Sequence, residues 1–581
     1  ISTSKAEKMD GVLRVFTAED IPAERFTGLI IPDWPLMVRE GETTRYLGDI
    51  LAGVVAETEK QAREALDLID VEYEILTPVT DPSEALSGLS PKIHESGNLL
   101  STTEIQRGDC KKAEKESEYV TKGTYKTQRI EHAFMELECC VAKPQKDGIE
   151  VFSQGQGVYE DRNSISKILG IPLENVVVSL MPNGGAFGGK EDISVQGHAS
   201  LFAHLLQLPV RVALTRPESL LMHPKRHPMS MDISMGCDKN GKLTFIKADI
   251  IGDTGAYASV GMKVLERAAG HATSVYTIPS VEILSRAVYT NNVPCGAMRG
   301  FGVNQINFAV ESCIDELCEL GHFDRWQIRF DNALKPGDCT STGQKITSGI
   351  GIQKTLLAVK EKFQNAKYAG IACGMKNTGI GNGIADEGKV KVVIDSPSKI
   401  TIHHGWTEMG QGVFTMAVQF LCEATGISPE IISVKVDTSK EAPAGMTTAS
   451  RGTSIIGNSV LDAGSKIKAD LEKHSLAELV GREYEGEWIC DWTTSLASNT
   501  EDPETHYSYS YATQVVILDD KGQIDTVFAA HDAGRIINPV LFEGQLEGSV
   551  HMGLGYALSE NFEMQEGRPK HTRLGKLGMI R

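Results

Sequence analysis

Four glycines within six positions, at 184, 185, 188 and 189, constrain this chain more than any other stretch. Residues 181–196 read MPNGGAFGGKEDISVQ. A β-branched run at 175–180 (NVVVSL) precedes them and predicts a strand. Val195, Leu201, Phe202, Leu205 and Leu206 follow at helical spacing. The glycines therefore fall in a strand-to-helix turn, where positive φ and close approach of backbone to a ligand are permitted. The N-terminus of the following helix is expected to point free N–H groups above the turn. Lys190 and Glu191 add two opposite charges beside that spot.

A tight structural turn is one reading, and a phosphate loop is another. Gly184 to Gly189-Lys190 has phosphate-loop spacing, but Glu191 stands where a Ser or Thr would hold magnesium. Gly383 to Gly388-Lys389 fails in the same way at Val390. The kinase-like and ATPase readings are therefore set aside.

A chain of 581 residues is long enough for several domains and a large core. Its net charge of −19 argues against nucleic acid or an anionic membrane surface as main partner. It leaves room for a small anionic substrate held by a local Arg. No apolar run reaches the roughly 18 residues of a membrane span, so no membrane partner is expected and a cytoplasmic location is. The 11 cysteines are scattered, apart from the neighbours Cys139 and Cys140, and none form a C-x-x-C pair. That pattern fits reduced, buried thiols better than a disulfide, zinc or iron–sulfur framework.

Three units are predicted, with an α+β fold. Residues 1–95 read as a small α/β domain, with strands at 13–16, 50–56 and 71–75 and a helix over 57–69. Residues 96–365 form a larger unit. It holds a strand at 150–153, the sequence Gln154-Gly-Gln156-Gly157, a helix stopped by Gly170, and the glycine turn. His132 in that unit reads as a core histidine rather than a ligand. Residues 366–581 repeat part of the second unit. Gln411-Gly412, a helix, Gly426-Ile-Ser-Pro429 and a strand parallel Gln156-Gly157, a helix, Gly170-Ile-Pro172 and a strand. From Gln156 to Gly170 is 14 positions, and from Gln411 to Gly426 is 15. Both strands run into loops of small residues, at 183–189 and 447–454. Two related halves offering glutamines, backbone amides and helix N-termini suit a large, multiply anionic ligand between them.

GGAFGGKE, AMRGFG at 297–302, TEMGQG at 407–412, TTAS at 447–450, HDAGRIINP at 531–539 and EGQLEG at 543–548 together resemble the molybdenum hydroxylases. The likeness is to the large molybdopterin-binding chain of xanthine dehydrogenases and aldehyde oxidases, bacterial xanthine dehydrogenase-like chains above all. It implies an N-terminal hammerhead-like α/β domain followed by two related molybdopterin-binding domains. It implies that Gln156, Gly185, Phe187, Gly188, Arg299, Gln411 and the loop carrying Thr448, Ala449 and Ser450 hold the molybdenum centre and its pterin. Gln156 would touch a molybdenum ligand through its amide, with Gln154 the alternative two residues away. Phe187 and Arg299 match positions around the metal, which takes its two sulfurs from the pterin and needs no protein side-chain ligand.

Glu191 and Arg267 match the pair that grips the purine from opposite sides in xanthine-oxidising relatives, and Phe301 matches an aromatic against the flat substrate. In aldehyde-specific relatives the two charged positions are typically apolar. The alternative is that Glu191 and Arg267 pair with each other. The implied reaction is hydroxylation of a purine such as xanthine or hypoxanthine, with oxygen from water. Two electrons then pass to [2Fe–2S] and FAD groups on other chains or segments, within a dimer of the complex. An aldehyde or other N-heterocycle oxidoreductase is the alternative within the family. A non-catalytic cofactor-binding paralogue and a nucleotide-binding protein are the alternatives outside it. The pterin is expected with or without a cytosine dinucleotide tail.

The family's general-base glutamate, in a Gly-Glu-Pro-like segment near the C-terminus, has no match here. Gly41-Glu42 and Gly486-Glu487 have the dipeptide in the wrong region, followed by Thr43 and Trp488. A placed base is worth about 10²–10⁴-fold. These residues are therefore expected to be a truncated or partial chain that hydroxylates little alone.

Overall fold

The computed structural model describes residues 1–498 and 500–580. In the N-terminal unit, β1 (Val12–Thr17) pairs antiparallel with β2 (Ala52–Ala56), and α1 (Glu59–Leu66) packs beside them. Thr58 caps α1 through its side chain. The expected strand at 71–75 does not form. Val71, Tyr73 and Ile75 alternate as a half-buried strand would, yet no strand among the described residues pairs with them and Ile75 is 91% exposed. Alternation records which faces could be buried, and pairing needs a partner.

The next unit contains two sheets. β3 (Leu99–Arg107) and β4 (Tyr119–Thr127) are the edges of a five-stranded sheet. A second sheet begins with the hairpin of β5 (Cys139–Gln145) and β6 (Gly148–Ser153). Then α2 (Val158–Leu169) crosses over to β7 (Val176–Leu180), which lies parallel to β6. Such a pair needs a crossover, and a helix supplies it. Ile165, Ile168 and Leu169 bury one face of α2 on the sheet, and Gly170 ends it in the left-handed region at φ +66°. The glycine turn leads to α3 (Val195–Leu206), and β8 (Val210–Ala213) closes the sheet beside β5. The five-stranded sheet is completed by β9 (Met229–Cys237), β10 (Leu243–Gly255) and β11 (Ser280–Tyr289), with α4 (Gly261–Gly270) and α5 (Val303–Gly321) packed on it.

The third unit repeats the smaller sheet in full. After β12 (Ala369–Thr378), β13 (Asp386–Ser396) and β14 (Lys399–His404) form the hairpin. α6 (Val413–Thr425) crosses to β15 (Ile432–Lys435), parallel to β14. A loop leads to α7 (Gly452–Leu471), and β16 (Glu483–Cys490) returns beside β13. Both sheets thus run fourth strand, first, second, third. The repeat legible as one helix and one strand is a complete ββαβαβ unit. β17 (Ser508–Leu518) joins β12 and β18 (Ile524–Asp532) in a three-stranded sheet, and α8 (Pro539–Leu558) follows.

The two copies meet at the ends of their crossover strands. Leu180 N donates to Val436 O and Thr438 N to Val178 O, each at 3.0 Å. This joint brings the loop after β7, which holds the glycines, against the loop after β15.

Candidate active site

The two loops are tied together through one residue. Gln156, three residues past β6, accepts from Gly188 N at 3.0 Å and Lys190 N at 3.2 Å through Oε1. Its Nε2 donates to Thr447 O at 2.9 Å. Its backbone joins both loops again, to Lys190 O at 3.0 Å and from Thr447 N at 2.8 Å. One Nε2 hydrogen remains for a ligand. Gln154 instead donates to Pro182 O at 3.0 Å.

Beside this joint lies a cavity of about 1970 Å³. All twelve residues singled out above line it: Glu191, Arg267, Phe301, Gln156, Gly185, Phe187, Gly188, Arg299, Gln411, Thr448, Ala449 and Ser450. Gln154 does not, nor do Glu42 and Glu487, which pair with Arg25 and Lys389. Ala133, Phe187, Phe301, Ala449 and Ser450 all line it with positive φ, between 49° and 57°. Each such residue costs about 1–3 kcal/mol and persists where its surroundings overdetermine it. That five line one cavity marks it as a place where strain is kept.

Arg299 and the glycine turn are held as one piece. Arg299 N donates to Phe187 O at 2.9 Å. Gly188 has φ +104°, and a Cβ there would lie 2.7 Å from Ala297 O, a backbone atom. Gly188→Ala is therefore expected to push the turn off the 297–299 segment. It should lower Tm by roughly 2–6 °C, for ~2–3 kcal/mol of left-handed strain and clash. Metal and pterin content of the purified variant should fall with it, and an unchanged Tm would show the contact to be soft.

Behind the turn, Lys190 Nζ donates to Glu136 O at 2.9 Å and Asn183 Oδ1 at 2.8 Å, so its charge serves the turn and not the cavity. His132 is a buried core residue whose Nε2 bonds Ala297 O at 2.7 Å, and burial beside His223 holds it neutral, at about 3. Glu131, His132 and His223 are the one cluster among the described residues with ligand atoms close enough for an ion. It lies outside the cavity lining, and His223 and Lys225 already neutralise Glu131 and Glu138 there.

Helix ends converge on the cavity, though not the expected one. α3 begins several residues past the glycines, and none of its residues face the cavity. The first turns of α5, α6, α7 and α8 do. Glu408 already closes the start of α6, accepting from Gly410 and Gly412 at 2.9 Å and Phe414 at 3.1 Å. Asn538 caps α8. α5 and α7 have no side-chain cap, which leaves amides and the positive ends of two long helices for a ligand. Arg451 holds the loop at α7 through a buried pair with Asp386 at 2.7 Å.

Charges in the cavity are incompletely matched. Arg299 Nη2 donates to Gln545 O at 2.7 Å and Oε1 at 3.0 Å, with no carboxylate. Gln545 was not singled out from the sequence; the one signal was its place inside EGQLEG. Arg267 is 5% exposed and donates to His506 Nε2 and, at 2.6 Å, to Ile380 O. It does not pair with Glu191. Burial, and secondarily Asp192, push the Glu191 carboxyl up to about 8, so it is neutral at pH 7. One carboxylic acid and one guanidinium, each without a counter-ion, thus face a single space. Gln411 spends its amide on its own loop, to Thr407 O and from Met409 N, both at 2.8 Å.

This lining suits a large anion that carries its own metal ligands. It offers an unpaired guanidinium, open helix N-termini and glutamine amides, and no cysteine among its residues. Residues 93–333 match the molybdopterin cofactor-binding domain, as do residues 351–480 and 474–581 with its second form. Residues 1–77 match the a/b hammerhead domain of aldehyde oxidase and xanthine dehydrogenase. The chain is 34% identical over 613 residues to a probable xanthine dehydrogenase subunit of Bacillus subtilis, covering 98% of this chain and 82% of that protein. It is 36% identical over 363 residues to the nicotinate dehydrogenase large molybdopterin subunit of Eubacterium barkeri, covering 62% and 85%. The aldehyde oxidoreductase from Desulfovibrio gigas superimposes with a TM-score of 0.92 at 25% identity, over 100% of this chain and 68% of that one.

Proposed function

The chain belongs to the molybdenum hydroxylases as a molybdopterin-binding large chain, and on that premise we propose that it hydroxylates a purine such as xanthine or hypoxanthine. The observation that carries this reading is the neutral Glu191 and the cationic Arg267 lining one cavity without pairing. The molybdenum centre carried by the pterin would, when bound, supply the oxygen-transfer and two-electron chemistry. Arg299, the Gln156 and Gln411 region and the amides opening α7 hold the pterin and its phosphate. Glu191 donates a hydrogen bond to a ring nitrogen or oxygen. Arg267 stabilises negative charge that builds on the heterocycle during attack. Phe301 packs against the ring and helps exclude water.

Iron–sulfur and FAD groups on partner subunits take the electrons, in a cytoplasmic complex that assembles as a dimer. Relatives named as subunits support partner chains. No helix among the described residues is long and apolar enough to cross a membrane.

A different N-heterocycle is the second reading, supported by the nicotinate dehydrogenase relative. An aldehyde is the third reading, supported by the aldehyde oxidoreductase that superimposes on this chain, and it would leave the Arg267 charge without an anionic partner. The test is the native complex with its partners. Molybdenum, pterin and any released cytosine nucleotide are measured, then turnover of xanthine, hypoxanthine and an aldehyde with an artificial acceptor. One molybdenum per chain and purine turnover well above aldehyde turnover are expected. Bound cofactor without turnover of any would identify a non-catalytic paralogue, and absence of pterin would sink the reading altogether.

A further inference from the structure

Lys376 shares the Arg267 end of the cavity, and no role above uses it. It lies near the end of β12, whose residues 374–378 all line the cavity. Arg267 reaches the same segment through Ile380 O. Lys376 Nζ donates to the Asn377 amide oxygen at 2.6 Å, and no carboxylate among the described residues pairs with it or with Arg267. The nearby acids are engaged elsewhere. Glu266 holds Lys263 at 2.9 Å and Asn382 at 2.6 Å. Asp386 holds Arg451 and the Ile380 amide. His271 and His506 complete the shell, both kept neutral by burial and by these same cations. Tyr509 is the remaining titratable neighbour of Arg267, and burial keeps it a neutral phenol. Two basic side chains therefore face one space with no anion between them, which is unfavourable until a ligand supplies the charge.

We propose that Lys376 is a specificity-determining residue which, with Arg267, selects substrates carrying a formal negative charge, a carboxylate or an ionised ring, over neutral heterocycles of the same shape. This rests on the reading of the cavity as a heterocycle-hydroxylating site. Burial and the neighbouring Arg267 hold the Lys376 ammonium well below its usual range, so an anion that enters favours uptake of a proton on Nζ. A neutral substrate brings no such gain. The cofactor's phosphate has Arg299 and the open amides of α5 and α7 and does not require Lys376.

The probes are pyridine-3-carboxylate and pyridine-3-carboxamide, similar in shape and different in charge. Calorimetric binding to the holo-complex at pH 8, in two buffers of different ionisation enthalpy, gives affinity and proton uptake together. The wild type is expected to prefer the carboxylate by ~30-fold or more and to take up a fraction of a proton. Lys376→Met should reduce the preference ~10-fold or more and remove the part of the uptake that does not belong to Glu191, whose carboxyl also titrates near 8. Lys376→Arg should restore the preference without that part of the uptake, because a guanidinium stays charged. Molybdenum and pterin content should not change. Equal wild-type affinity for the two probes, or a preference that Lys376→Met leaves undiminished, overturns the proposal. Loss of pterin from Lys376→Met overturns it too, by assigning the lysine to the cofactor. Charge-selective binding without hydroxylation of any heterocycle would sink the function proposed above and leave this inference standing. Purine turnover without charge preference would do the reverse.

Discussion

Arg267→Met is expected to lower kcat/KM for xanthine by roughly two to four orders of magnitude and to leave a neutral aldehyde within about tenfold, taking ~3–5 kcal/mol for a buried charged contact. The guanidinium is already desolvated and pinned by His506 and Ile380 O, so little ordering remains to be done when substrate arrives. Its charge is not spent on Glu191. A methionine of similar reach keeps a helix-compatible side chain at this position of α4 and removes the charge alone. Steady-state kinetics on both substrates is the measurement. Equal losses on both would show that Arg267 supports the loop at Ile380 rather than selecting substrate. The loss should lie in kcat if the contact strengthens as charge builds, and in KM if it only binds.

Sequence patterns exposed the local half of this architecture. The strand, glycine turn and helix at 175–206 were legible because β-branched runs, glycine clusters and 3.6-residue spacing are local signals. The repeat was visible only as a helix and a strand, because the hairpins of the two copies share no motif and the fourth strand of each pairs back over a long distance. Residues 71–75 alternate correctly and stay unpaired, since a period says nothing about partners. The α3 N-terminus was misplaced for a related reason. Sequence gives the order of turn and helix, but the extra residues between them let α3 start away from the cavity, and α5 and α7 open onto it instead. Gln154 and Gln156 could not be separated by motif. Their hydrogen bonds differ, because only Gln156 reaches both loops. Gln545 and Lys376 belong to the cavity through strands and helices that meet far from their own sequence neighbours. The missing counter-ions of Arg267, Arg299 and Lys376 are a property of three dimensions alone.

Glu191→Ala is expected to lower kcat/KM for xanthine by roughly 100–1000-fold, for ~3–4 kcal/mol of a buried hydrogen bond lost to a charged transition state. Glu191→Gln should stay within about tenfold at pH 7, because a neutral carboxyl and an amide both donate. The pH profiles then differ. Wild-type kcat/KM should fall as pH rises through about 8, where the carboxyl ionises and the donor disappears, and the Gln variant should lack that limb. Stability moves with the same proton. The folded carboxyl titrates near 8 and the unfolded one near 4.5, so between these values the folded chain binds the extra proton. The group's contribution is complete below 4.5 and is lost as pH rises through 8. At ~1.4 kcal/mol per pH unit, this is a cost of roughly 3 kcal/mol at pH 7 that an amide does not carry. Glu191→Gln should therefore match the wild type near pH 4.5 and exceed it by roughly 2–4 kcal/mol at pH 7–8, read from urea unfolding of the cofactor-free chain. A gap that fails to widen with pH would mean that Glu191 is ionised in the folded protein. In that case it could not donate to a heterocycle, and its part in gripping substrate would fall with it.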